Sequence, residues 1–174
     1  MSSAPAPWPV LKLLEVHCQG EIGKVIVDGA PFVPGTTMME KMTFINEVDD
    51  SLRRFVPLEP RPPAAMSVNL LVPPTRADAD AGCSVLQSDR AHPMSGSNCL
   101  CVVTALLESG QVPMREPQTI LHLDTPAGLI RAAAECENGR CLHVTLRNVA
   151  AFAEHLAHPV ETAATDSMYS KTSA

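Results

Sequence analysis

Met94-Ser95-Gly96-Ser97-Asn98-Cys99-Leu100-Cys101-Val102-Val103-Thr104-Ala105-Leu106-Leu107 is the stretch on which the fold turns. Ser and Asn directly before an apolar run are helix starters, because a short side-chain oxygen can meet a backbone N–H that the helix leaves unpaired. Glu108-Ser109-Gly110 then supplies the glycine that ends a helix. The expected helix runs from Asn98 to Ser109. Its residues are apolar nearly all the way round, so it is expected to be buried on all sides rather than along one stripe. A helix of that kind needs a sheet wrapped around it.

The flanking sequence supplies strands. Downstream they are expected at Thr119–Leu123, Leu129–Cys136 and Cys141–Leu146. The last two are joined across Glu137-Asn138-Gly139, and Asn-Gly between apolar runs is a strong hairpin signal. Upstream, Val10–His17, Lys24–Val27, Met66–Val72 and Cys83–Gln87 read as strands, with a turn at Gly20 and a hairpin-type turn at Asp28-Gly29. Thr36 or Thr37 caps a helix reaching about Phe55, with Met38, Met39, Met42, Ile45, Val48 and Leu52 at helical spacing. Pro57, Pro60, Pro62 and Pro63 forbid helix beyond it. Residues 1–9 read as a disordered tail from which Trp8 can dock on the body. Phe152–Leu156 can begin another helix, and Val160–Ala174 reads as a frayed tail. The fold class expected is α+β: a curved, mostly antiparallel sheet around a central helix. Residues 10–148 form one lobe, and 149–174 are the truncated start of a second lobe or a frayed tail.

Composition narrows the function classes. The 174 residues suit one domain or one and a fraction, and 45% hydrophobic content is enough for a core. A net charge of −6 offers no basic footprint for nucleic acid. No apolar run is long enough to span a membrane. Met1 to Pro9 lacks the charged and apolar regions of a signal peptide, so the expected location is the cytoplasm. The 6 cysteines form no C-x-x-C pair and are read as small buried hydrophobes, Cys99 and Cys101 among them, with no metal expected.

The start of the apolar helix is the candidate site. Its first N–H groups lack intrahelical partners, and the helix dipole adds partial positive charge. Such an end suits a carboxylate or phosphate. Gly96 lets a ligand approach the backbone, and Ser95 stands beside the bound anion. A base acting on the carbon next to a carboxylate must sit in that position. The plainer alternative is that Ser95, Ser97 and Asn98 only cap the helix.

The chain resembles the proline racemase family, which includes proline racemase, 4-hydroxyproline 2-epimerase and trans-3-hydroxy-L-proline dehydratase. The resemblance runs from about Leu13 to Phe152, on landmarks that stand in family order: His17-Cys18-Gln19-Gly20-Glu21, Pro34-Gly35-Thr36-Thr37-Met38-Met39-Glu40-Lys41, Leu52-Arg53-Arg54, Leu58-Glu59-Pro60-Arg61, Ala77-Asp78-Ala79-Asp80, Met94-Ser95-Gly96-Ser97-Asn98, Leu123-Asp124-Thr125-Pro126-Ala127-Gly128-Leu129 and Arg147-Asn148-Val149.

The resemblance implies a diaminopimelate-epimerase-like fold of two lobes, each a curved sheet around a central helix. Each lobe contributes one acid/base residue to an active site that uses no cofactor, pyridoxal phosphate included. Family racemases carry Cys in Met-Cys-Gly-His; the matching residue here is Ser95, the implied catalytic group. Gly96, Ser97 and Asn98 are the implied substrate-binding residues, for a small molecule of the proline or hydroxyproline class. Met-Ser-Gly-Ser-Asn is similar to the hydroxyproline dehydratase branch, which fits an alcohol that assists loss of water better than it abstracts protons.

Departures from the pattern count as well. The family's second-lobe motif, Asp-x-Ser-Pro-Cys-Gly-Thr-Gly, is not among the 174 residues, and Pro60 stands where Gly is usual. The expectation is a dehydratase-like chain that is weak or inactive alone and self-associates through an exposed lobe face. The alternatives are a hydroxyproline 2-epimerase or proline racemase fragment, or a non-catalytic interaction module. His17 and Glu21 either line the cleft or face solvent. Glu40-Lys41 and Arg53-Arg54 are expected on a solvated helix face or in local ion pairs. Asp78 and Asp80 supply too few oxygens for a hard cation.

Overall fold

The computed structural model describes residues 10–60, 66–151 and 153. The expected tails, the Trp8 contact and Pro62 and Pro63 lie outside the described residues, as does the helix at 152–156 apart from Ala153. β1 (Lys12–Cys18) and β2 (Glu21–Asp28) pair antiparallel. Gln19 and Gly20 turn between them at φ 47° and 99°, the left-handed conformation that a tight hairpin turn demands. Then come α1 (Met38–Glu47), α2 (Ser51–Phe55), β3 (Ser67–Val72), β4 (Ala81–Leu86) and β5 (Ala91–His92). α3 (Gly96–Glu108), β6 (Gln118–Thr125), β7 (Gly128–Glu137) and β8 (Arg140–Arg147) follow.

The strands form one sheet in the order β1-β2-β3-β4-β6-β7-β8, with β5 paired to β4. β2 pairs with β3 and β4 with β6 in parallel; the remaining pairs are antiparallel. Asp28-Gly29 is therefore not a hairpin turn. The next neighbour of β2 is parallel, and a parallel partner needs a crossover, which α1 and α2 supply. The crossover between β4 and β6 contains α3.

The two crossovers lie on opposite faces of the sheet. Val25 packs in a core with Val102, Val103, Leu106, Leu121 and Ile130. Its neighbour Ile26 packs in another with Met42, Ile45, Leu52, Val68 and Leu70. Successive residues of a strand point to opposite faces, so α3 lies inside the curl and α1 and α2 outside it. β4, buried at every position, is covered on both faces, whereas β7 and β8 alternate. α3 touches both terminal strands of the sheet, β1 and β8, yet the sheet order ends at those strands. The result is an open curl around one helix.

α3 starts at Gly96 rather than Asn98 and ends at Glu108. It is not buried on all sides. Leu100 and Thr104 are half-buried and Glu108 is exposed, a stripe of i, i+4 spacing facing the seam that the sheet leaves open. With His17, Thr104, Glu108 and His143 among its lining residues, that seam is a groove of about 840 Å³.

The single helix expected from Thr36 to Phe55 is two. Asp49 Oδ1 accepts from Ser51 N at 3.0 Å and also from Ser51 Oγ, a local turn that competes with helix. Val48 and Met39, placed on the apolar stripe by spacing, are 72% and 48% exposed. Lys41 reverses the other way. It is 7% exposed, its Nζ donates to Val33 O at 2.7 Å, and it sits 5.4 Å from the centroid of the Phe32 ring. Arg53 does form a local pair, 2.7 Å from Asp50.

Candidate active site

The outer layer fixes the loop that leads into α3. Asn46 of α1 donates to Ala91 O at 3.1 Å and accepts from Ala91 N at 2.7 Å. Arg53 of α2 donates to Ser88 O at 2.6 Å. These bonds tie residues 88–91 to the outer helices, and the chain then passes through Met94 to Ser95.

Ser95 occupies the N-cap position with extended backbone, φ −147° and ψ 131°, and its carbonyl accepts from Cys99 N at 3.0 Å. Its side chain makes no capping bond, contrary to the plainer reading of this stretch. Ser95 Oγ instead accepts from Asn98 Nδ2 at 2.9 Å and lies 3.4 Å from Ser97 Oγ. The N–H groups of Gly96, Ser97 and Asn98 occupy the first turn, where no intrahelical carbonyl reaches them. A Cβ built on Gly96 would meet nothing within 4 Å. Free donors, the positive helix end and open space therefore coincide beside one hydroxyl, an arrangement suited to holding a carboxylate against a proton-transfer group.

The four residues singled out from sequence are thus brought together, with one difference of role. Asn98 is 3% exposed, and its side chain turns inward to Ser95 and Asn69, so only its N–H is available to a ligand. Asn69 is the residue that sequence reasoning passed over. It lies on β3, fully buried, and donates to Asn98 Oδ1 at 2.9 Å. The available signal was an amide in the middle of the apolar run Val68-Asn69-Leu70-Leu71.

Other candidates stand apart. His17 and Glu21 are exposed at the β1–β2 hairpin, and His17 lines the groove along α3, not its start. Asp78 makes a two-pronged contact with Arg76 at 2.9 and 2.8 Å, and Asp80 accepts from His122 N at 2.7 Å. Among the described residues no group of His, Cys, Asp and Glu is placed to hold a metal. Cys99 and Cys101 are core residues, 1% and 2% exposed. Burial pushes the Cys101 thiol up to about 11. A hydrogen bond with Cys99, together with burial, pushes Cys83 well above its ordinary value.

An open curl of sheet around one central helix is the architecture of one diaminopimelate-epimerase-like lobe, and the uncapped serine stands at the start of its helix. The chain belongs to the proline racemase family, whose family model, described as Proline racemase, matches residues 13–170. It is 49% identical over 154 residues to 4-hydroxyproline 2-epimerase of Agrobacterium fabrum, covering 87% of this chain and 45% of that enzyme. It superposes with TM-score 0.75 at 50% identity on a crystal structure of a hydroxyproline epimerase from Agrobacterium vitis with bound trans-4-hydroxy-L-proline, covering 77% of this chain and 40% of the other. Methylitaconate-delta-isomerase, at TM-score 0.51 and 17% identity, shares the fold. The chain spans less than half the length of the curated relatives it matches.

Proposed function

We propose that residues 10–148 are the first lobe of an enzyme performing cofactor-independent acid/base chemistry at the α-carbon of a hydroxyproline, with 2-epimerisation as its main reaction. The observation that carries this reading is the uncapped Ser95 hydroxyl beside the free N–H groups of Gly96, Ser97 and Asn98. The N–H groups hold the substrate carboxylate. As the α-proton leaves, charge spreads into that carboxylate, and the same donors then bind it more strongly. Ser95 gives or takes the proton on one face of the ring. A second group, assigned to the part of the relatives that this chain does not span, acts on the other face. The 49% identity to a 4-hydroxyproline 2-epimerase supports the substrate class.

A second reading, dehydration of trans-3-hydroxy-L-proline, is favoured by the residue at position 95. An alcohol is a poor base near neutral pH unless a neighbour activates it, but it can protonate a departing hydroxyl. The proton taken from the α-carbon and the hydroxyl lost from the β-carbon leave together as water. The six free thiols fit a reducing compartment such as the cytoplasm.

The test compares the 174-residue chain alone with the same chain joined to the remaining half of the Agrobacterium fabrum enzyme. Each is given trans-4-hydroxy-L-proline and trans-3-hydroxy-L-proline. The chain alone is expected to give no turnover, because one lobe leaves the substrate in water. The joined protein is expected to epimerise the first substrate. Pyrroline-2-carboxylate formed from the second, without epimerisation of the first, would move the assignment to dehydration. Turnover of about 1 per second by the chain alone would show that the second group had been misplaced.

A further inference from the structure

The inner layer contains a polar chain that packing alone does not require. Asn69 Nδ2 donates to Lys24 O at 3.3 Å and to Asn98 Oδ1 at 2.9 Å. Asn98 Nδ2 donates to Ser95 Oγ at 2.9 Å. The direction is set at the buried end. A backbone carbonyl only accepts, so Asn69 must turn its NH₂ toward Lys24. The same NH₂ faces Asn98, which therefore offers its oxygen inward and its nitrogen outward to Ser95. Toward the core, Ser95 Oγ is thus an acceptor. Its own proton is left to the open side, where Ser97 Oγ lies 3.4 Å away.

This arrangement costs stability. Asn69 Oδ1 is buried and has no partner among the described residues, and an unsatisfied buried carbonyl is destabilising. An apolar residue at 69 would not carry that cost. The backbone is also shaped to fit. A Cβ on Gly23 would come within 2.8 Å of Cys101 Cβ and Sγ, so glycine lets β2 approach α3 closely where Lys24 O meets Asn69.

We infer that Asn69 and Asn98 are positioning residues, a buried amide relay that holds an N–H against Ser95 Oγ and directs the hydroxyl proton to the substrate side. The inference rests on Ser95 being the acid/base group. When that proton leaves toward the substrate side, the electron pair stays on Oγ, facing the donated N–H and the positive helix end. A hydrogen bond to the charged form favours it. Neither amide side chain touches substrate.

The test uses the 174-residue chain carrying Ser95→Cys, which places a titratable thiol at the end of the relay. Alkylation by iodoacetamide is followed across pH by mass spectrometry, with fragment ions that separate residue 95 from Cys99 and Cys101 in the same peptide and from the other native cysteines. In this background Asn98→Ala is expected to raise the midpoint by about one pH unit, a roughly tenfold slower reaction near neutral pH. Asn69→Ala, which frees Asn98 to turn its oxygen outward, is expected to raise it in the same direction. Asn98→Asp keeps the acceptor for Asn69 but replaces the donor, and is expected to raise it most. Thermal melts identify the variants that fold, and any one folded variant decides. A midpoint unchanged from the Ser95→Cys chain would overturn the relay. The readout needs no turnover. Shifted midpoints with an inactive joined protein would keep the relay and reject the substrate assignment; unchanged midpoints with an active one would do the reverse.

Discussion

Two helices of this lobe begin with a hydroxyl residue in the N-cap position, Thr37 before α1 and Ser95 before α3. Their chemistry differs. Thr37 Oγ1 accepts from Glu40 N at 3.1 Å, and the Glu40 carboxylate returns to Thr36 N and Thr36 Oγ1, each at 2.7 Å. The start of α1 is closed by its own groups. At α3 the third helical residue is Asn98, not a carboxylate, and it bonds the cap side chain instead of the backbone. No acidic residue lies in the first turn of α3, so its N–H groups and positive end remain free for an anion from outside. One start is closed by its own cap; the other gives up its cap, and the stability that goes with it, and keeps its N–H donors open.

Side-chain removal at the two caps should break this symmetry most sharply. In the chain joined to a second lobe, Ser95→Ala is expected to lower kcat by about 10²- to 10⁴-fold, the range for a lost acid/base group. Thr37→Ala, on the outer face of the sheet, should leave kcat within about twofold, since its bonds reach only its own helix start. Initial rates of epimerisation at saturating substrate provide the measurement. Comparable losses at both positions would mean that Ser95 acts through the fold alone.

Stability should not separate the two positions by size, only by the origin of the loss. Thr37→Ala removes a cap and is expected to cost about 1 kcal/mol, read from urea unfolding. Ser95→Ala removes no cap. Its cost, of about the same size, comes from leaving Asn98 Nδ2 without its partner. A double-mutant cycle separates the two origins. Ser95→Ala and Asn98→Ala should be non-additive by at least about 0.5 kcal/mol. Thr37→Ala and Asn98→Ala act on opposite faces of the sheet and should add. Additivity in both cycles would argue against the Ser95–Asn98 bond in solution.

Much of the lobe was legible in the sequence because local chemistry and burial agree there. The Asn138-Gly139 turn, both with positive φ, and the alternation of β7 and β8 mark a hairpin covered on one face only. The run Cys99–Leu107, apolar but for Thr104, marks a helix inside a curl. Spacing failed where a hydrogen bond or ring contact outside the helical repeat decides exposure. Lys41 looks like a surface cation until Val33 and Phe32 come back over it. Val48 looks like core until Asp49 and Ser51 break the helix beneath it. β5 was missed because a strand of 2 residues has no period to detect. At the site, the hydroxyl and glycine pattern identified the helix start, but Asn69 stands 29 positions from its partner Asn98, and only the β3–α3 packing joins them.

The smallest effect follows from the carboxylate that closes α1. The Glu40 carboxyl is held below its ordinary value of 4.5, first by the hydrogen bond from the Thr36 side chain and then by those from backbone N–H groups. Its folded value lies below its unfolded one, so on acidification the unfolded chain takes up the proton first. The contribution of Glu40 is therefore complete above its ordinary value and lost as pH falls through the folded value. In an NMR titration from neutral to acid pH, the Thr36 amide should move with a midpoint below 4.5. The amides of Gly96, Ser97 and Asn98 have no acidic partner in their own turn and should not follow that midpoint. Adding acetate or L-proline near neutral pH should act the other way, moving the α3 amides and leaving Thr36 in place, because only the open helix start has donors to offer. A Thr36 midpoint at the ordinary value, or equal response of both helix starts to the added carboxylate, would mean that the two caps do not differ in solution as they do in the fold.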